Sequence, residues 1–157
     1  MSRAFVNEDK LNEAEDLPPL PLSPHPNYVT PTGLAQLRLR LAETQARLRQ
    51  ADAAPAELRR EIAWLEARIA AAIPVTPGSQ PKDRVAFGAS VKVSDPDGAV
   101  RGYQIVGEDQ SDPARGLVSW VSPLGKALIG AAVGDVVSWP RPAGLLEIEV
   151  LEISYRS

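Results

Sequence analysis

Asp52 and Glu57 are the acids of the stretch QADAAPAEL, residues 50–58. Carboxylates are the side chains that ligate hard cations or move protons, so what this pair can do depends on what carries it. The other reactive residue types are placed less favourably. His25, the single histidine, lies among prolines with no second histidine or carboxylate at a matching spacing, which makes neither a metal set nor a general base. Asp109 and Asp112 share the loop GEDQSDPARG without further ligands, so solvation or docking of a partner suits them better than metal binding. Ser119, Ser122 and Lys126 miss the Ser-x-x-Lys spacing of a serine acyl-enzyme, and no histidine is available to activate either hydroxyl. Gly125-Lys126 is followed by Ala127 and lacks the leading glycine of a phosphate loop. No cofactor, bound metal or catalytic residue is expected.

The sequence on both sides of the two acids has helical periodicity. Leu34, Leu37, Leu41, Thr44, Leu48 and Ala51 recur at alternating steps of three and four, and Leu58, Ile62, Leu65, Ile69 and Ala72 do the same. Thr30 is a suitable N-cap with Pro31 at the first helical position, and Thr32 a slightly later one. Pro55 cannot continue the first helix but can open the second, which places a reversal near Ala53 and Ala54. Residues 30–73 therefore read as an antiparallel coiled-coil hairpin with arms of roughly 20 residues, ~30 Å long, and the two acids sit at its distal end. Arg38, Arg40, Arg47, Arg49, Arg59, Arg60 and Arg68 decorate it. One role is to solvate the outer faces and pair with Glu43, Glu61 and Glu66. The other belongs to Arg47, Arg49, Arg59 and Arg60 near the tip, which suit an acidic surface or a phosphate. Trp64, beside Leu65, covers the hairpin flank or anchors it to the following domain.

Residues 1–29 combine the polar, acidic NEDKLNEAED with DLPPLPLSPHPNYV, whose five prolines disfavour helix. They read as an extended tail ordered only near Tyr28 and Val29, with a docking peptide or acidic arm as the functional alternative. PVTPGSQP, residues 74–81, reads as a linker. Over residues 82–157 the period becomes two, in strand-like runs separated by turns such as DPDG and VGD. SPLGKALIG interrupts them as one short helix, capped by Ser122 and ended at Gly130. The fold class is α+β: a helical hairpin, then a small, mostly antiparallel sheet domain. Trp120 and Trp139 lie in apolar strands and read as packing residues.

Composition narrows the function classes. The net charge of −3 gives no general attraction to nucleic acid, and only residues 30–73, with seven basic and five acidic side chains, are net basic. The absence of cysteine excludes disulfides, thiolate zinc sites and a cysteine nucleophile. The start MSRAFVNEDK lacks the apolar run of a secretory signal, and no run of about 18 apolar residues occurs. The expected location is the cytoplasm, with no membrane partner and no sequence-specific nucleic-acid binding.

The run SWVSPLGKALIGAAVGD, residues 119–135, resembles the signature of the bacterial Gre transcription elongation factors: Ser, two residues, Ser-Pro-Leu-Gly, a small residue, Leu-Ile, four residues, Gly-Asp. The likeness extends through VAFGASVKV, YQIVGEDQSD, GLVS and EIEVLEI, and covers roughly residues 30–157. It implies an FKBP-like sheet domain that docks at the rim of the secondary channel of RNA polymerase while the hairpin enters the channel. Ser122, Pro123 and the Asp109 loop become the expected polymerase contacts, and a monomer is expected. The FKBP-like fold suggests a prolyl isomerase by analogy only, and the chain shows no obvious aromatic set for one.

Cleavage-stimulating members of that family hold an Asp with a Glu-Asn shortly after it at the hairpin tip, and the pair helps the polymerase bind a second Mg²⁺ that activates water. This chain departs from that pattern: Glu57 stands five positions after Asp52, with Pro55 between them. The favourable charge of Glu57 near a helix N-terminus explains it without metal. The arms also look several turns shorter, and each missing turn withdraws the tip by ~5.4 Å. A short-fingered relative, the regulator of nucleoside diphosphate kinase, has the same two parts without being a cleavage factor. The resemblance thus implies a non-enzymatic regulator of RNA polymerase; the alternative is a cleavage cofactor in which Asp52 and Glu57 supply metal ligands.

Overall fold

The computed structural model describes residues 17–53 and 55–156; the acidic first half of the expected tail, Ala54 in the turn and Ser157 lie outside the described residues. Two compact units emerge. One holds residues up to Pro26 together with Ala35–Ala72, and the other holds Asn27–Leu34 and the chain from Ile73 onward.

The hairpin unit is built from α1 (Pro31–Gln50), whose first turn belongs to the other unit, and α2 (Ala56–Ala70). The cap of α1 is the one its sequence suggests: Thr30 Oγ1 accepts from the Gly33 N–H at 3.0 Å, and Pro31 occupies the first position, where no N–H is needed. Pro55 is the N-cap of α2, its carbonyl accepting from Leu58 and Arg59 N–H. Along the seam Leu37, Thr44 and Leu65 are buried, and Leu41, Leu48, Leu58, Ile62 and Ile69 are half-buried. Thr44 can stand in an apolar seam because its hydroxyl donates to the Arg40 carbonyl at 2.7 Å. Arg40 crosses to the other arm, its Nη2 2.9 Å from Glu61 Oε1.

Four expectations are corrected. Arg68 is not an outer-face residue: it is 4% exposed, because it lies one turn beyond Trp64 and Leu65 on the same side of α2. The second helix ends at Ala70, since Pro74 cannot continue it and biases Ile73 away from helix. Ala72–Pro74 instead forms β2, paired with β1 (Asn27–Val29). The segment after it is no free linker, because Val75 N–H donates to the Val29 carbonyl at 2.9 Å and Pro77 is buried in a 3₁₀ turn. The proline-rich part of the tail is likewise seated, as described below.

The sheet unit carries five strands in the order β5-β4-β3-β7-β6: β3 (Ala89–Ser94), β4 (Val100–Val106), β5 (Leu117–Ser119), β6 (Val136–Arg141) and β7 (Gly144–Tyr155). Three pairings are antiparallel, and β4 pairs with β5 in parallel through a connection containing two 3₁₀ turns, Glu108–Gln110 and Pro113–Arg115. Ala89, Val91 and Val93 point inward while Ser90, Lys92 and Ser94 alternate with them, as period two demands. With Ile105, Val118, Ile148 and Val150 they form a core closed by Leu124 and Leu128 of α3 (Pro123–Leu128). Trp120 and Trp139 pack against this core from its margin.

Candidate docking face and hairpin tip

The signature loop is first of all a structural device. Ser122 is the N-cap of α3: its Oγ accepts from Gly125 N–H at 3.0 Å and donates to the Ser119 carbonyl at 2.7 Å. Gly125 is required by close approach, because a Cβ there would collide with the same Ser119 carbonyl oxygen. The Gly-Asp that closes the signature is a turn. Gly134 has φ 93°, and Asp135 Oδ2 accepts from Ala132 N–H at 2.9 Å while its carbonyl receives Val150 N–H. With these groups engaged internally, Pro123 and Lys126 are left exposed on a face that opens into a cleft of about 470 Å³, bounded by Ala127 and by Ser138 and Pro140 of β6.

Asp109 is exposed on the 3₁₀ turn Glu108–Gln110. Gln110 Oε1 accepts from the Thr30 hydroxyl at 2.6 Å, which holds this turn to the first turn of α1 within the sheet unit. Sequence reasoning missed Gln110, and it missed Gly107, where a Cβ would collide with the Tyr28 carbonyl oxygen. Neither residue carries a sequence signal, because the contact joins positions about 80 residues apart. The Tyr28 ring in turn meets Trp120 edge-on at 5.1 Å and Phe87 at 5.9 Å. Tyr103 and Trp139 border a cleft of about 100 Å³, well below the ~300 Å³ at which small-molecule sites begin.

At the hairpin tip the two acids stand on different elements. Asp52 is exposed on the bend after α1, and Glu57 is exposed in the first turn of α2, where its charge complements the helix N-terminus. Among the described residues no three His, Cys, Asp or Glu side chains are grouped to hold a metal ion. Arg47 and Arg49 are exposed in the last turn of α1. Arg59 and Arg60 instead border a cavity on the outer side of α2, with Arg60 half-buried. Trp64 covers the hairpin flank, with Arg40 Cζ 5.6 Å and Arg68 Cζ 5.8 Å from its ring centroid. Among the described residues no helix is long and apolar enough to cross a membrane.

The features above define a class: a two-helix hairpin followed by a mixed sheet domain with an ordered, outward-facing loop. Residues 80–155 match the family described as transcription elongation factor GreA/GreB, C-terminal domain. Transcription elongation factor GreB of Neisseria meningitidis serogroup B is 41% identical over 100 residues, covering 63% of this chain and 61% of the relative. GreA of Helicobacter acinonychis is 41% identical over 83 residues, covering 52% of this chain and 51% of the relative. The chain thus spans about three-fifths of one of these curated relatives and half of the other. A solved structure of the transcription factor Gfh1 aligns with TM-score 0.43 at 25% identity over 82% of this chain and 97% of its own. A GreA/GreB factor from Nitrosomonas europaea aligns with TM-score 0.43 at 24% identity over 82% and 99%. The sheet domain, residues 80–155, is thus of the GreA/GreB C-terminal type.

Proposed function

We propose that the protein is a non-enzymatic transcription regulator that binds RNA polymerase at the secondary channel, docking through the sheet domain and inserting the short hairpin. The carrying observation is the signature loop: in a domain of the Gre family, Ser122, Gly125 and Asp135 lock a loop that leaves Pro123 and Lys126 facing outward. A rigid, preformed face of this kind binds without the cost of ordering a loop. Asp109, exposed on its own tethered turn, is the second contact of this reading.

The tip supports binding over cleavage. Helices of 20 and 15 residues extend ~30 and ~22 Å. Metal ligation needs oxygens within ~2.5 Å of the ion, and a finger two to four turns short of the catalytic centre misses by roughly 10–20 Å. Asp52 and Glu57 stand five positions apart with Pro55 between them, unlike the acid pair of the cleavage factors, and the short hairpin with its sheet domain resembles the arrangement of the regulator of nucleoside diphosphate kinase.

Titration of core polymerase with the labelled protein tests this. Pro123→Glu is expected to weaken binding about tenfold or more, the effect of a charge placed at the centre of a contact face. Undiminished binding by that variant removes the docking site. Release of short 3′ RNA fragments from stalled complexes, abolished by Asp52→Asn, replaces this reading with cleavage stimulation.

A further inference from the structure

The segment Leu17–Pro26 lies against the outer side of α2, within the hairpin unit. Trp64 Nε1 donates to the Pro21 carbonyl at 3.3 Å, and Leu17, Pro19, Leu20 and Leu22 form one wall of a cavity of about 320 Å³. The opposite wall is helix: Ala56, Ala63 and Ala67, spaced by seven and four residues and so on one face, leave a groove between the longer side chains of Arg59, Arg60 and Trp64. Proline-rich segments offer carbonyls without matching N–H groups and are already extended, so an aromatic groove with an indole N–H is the usual way a protein holds them.

The fit of this segment is loose. A groove of about 320 Å³, open to solvent on one side, remains between segment and helix. Leu22 is 54% exposed, and the Trp64 hydrogen bond faces solvent. Arg60 Nε is buried without a hydrogen-bond partner among the described residues, a donor that an extended peptide carbonyl would satisfy. Elements held by few apolar contacts and an exposed hydrogen bond open at low cost.

We infer that the outer face of α2 is a binding groove for extended, Leu/Pro-rich peptide segments, in which Leu17–Pro26 sits as a tethered ligand that a segment of the same chemistry on a partner protein can replace. Tethering gives the internal segment an effective concentration in the millimolar range. Free peptide therefore competes poorly against the intact strap and well against a weakened one. The inference stands independently of polymerase docking, since it concerns the hairpin unit alone.

The test uses the full chain and a fluorescein-labelled peptide of residues 16–26. Leu20→Ser, which loosens the strap, is expected to raise the apparent affinity for the peptide at least tenfold over the unsubstituted chain. Adding Trp64→Phe, which keeps an aromatic ring but removes the N–H donor, is expected to reverse most of that gain. Hydrogen exchange supplies the second measurement: amides of Leu20, Leu22 and Ser23 are expected to exchange at least a hundredfold faster than those of the α2 interior. Absence of peptide binding to the Leu20→Ser chain overturns the inference, as does binding indifferent to Trp64→Phe. Strap amides as protected as those of α2 overturn it too, by showing the strap to be a fixed part of the fold.

Discussion

Ser122 does two jobs with one hydroxyl, accepting from Gly125 N–H and donating to the Ser119 carbonyl. Ser122→Ala is expected to cost about 1 kcal/mol in urea unfolding of the full chain, and Ser122→Thr to restore most of it. Gly125→Ala should cost more, about 2–3 kcal/mol, because the added methyl meets backbone that cannot swing aside, the Ser119 carbonyl and the Trp120 Cα. The cap was legible from the Ser-Pro pair alone. The glycine was not, because its reason is a neighbour six positions back that approaches only once the loop is folded. Tyr155 gives the pH dependence at this scale. Its hydroxyl donates to the Arg84 carbonyl at 2.6 Å and accepts from Ala86 N–H at 2.9 Å. Burial is the main cause that raises its pKa above 10.0, with Asp83 adding to it and the Ala86 N–H opposing. The folded chain therefore keeps this proton at a pH where the unfolded chain has lost it, so stability is full below pH 10 and falls as pH rises beyond it. Tyr155→Phe is expected to flatten that alkaline fall in urea titrations. At neutral pH it loses about 1 kcal/mol with the hydrogen bonds.

At the scale of elements, the hairpin faces the difficulty of every two-helix unit: a single seam buries one stripe of each arm and leaves the flanks to water. Trp64 answers this on one flank, lying near the guanidinium groups of Arg40 and Arg68 and bonding the Pro21 carbonyl. Trp64→Ala should therefore cost the hairpin about 3 kcal/mol, seen as lost helicity in a thermal melt followed at 222 nm. Arg40→Ala removes one cation and the Glu61 partner, but at an exposed position, and should cost under about 1 kcal/mol. The heptads of this element were readable because leucines at steps of three and four state a helix period. The strap was not. Prolines announce extended chain but no face, so nothing in DLPPLPLSPHP says which surface it meets. The supposed linker hid its strand for a related reason: Ala72–Pro74 is too short to show alternation, and its partner β1 is likewise three residues long. In the sheet domain the strands were legible from period two and the short helix from its cap, whereas the parallel β4–β5 pair depends on how the intervening loop crosses, which composition does not encode.

For the whole molecule, reach and docking make separable predictions, because Pro123 and the tip acids lie in different compact units. A regulator that occupies the secondary channel without delivering metal ligands should suppress cleavage stimulated by a GreA or GreB factor, in proportion to its concentration, while producing no 3′ fragments itself. Asp52→Asn combined with Glu57→Gln should leave that suppression unchanged, since the proposed function gives neither of these exposed carboxylates a ligand role. Pro123→Glu should shift the half-suppressing concentration upward by about tenfold or more. Raised salt should weaken suppression only modestly if the contact rests on Pro123 and its apolar surroundings, and steeply if the exposed Arg47 and Arg49 dominate. The informative combination is the double tip variant against Pro123→Glu. Suppression lost with the acids and kept with Pro123→Glu would place the function at the tip, and the short finger would then have to reach the catalytic metal after all.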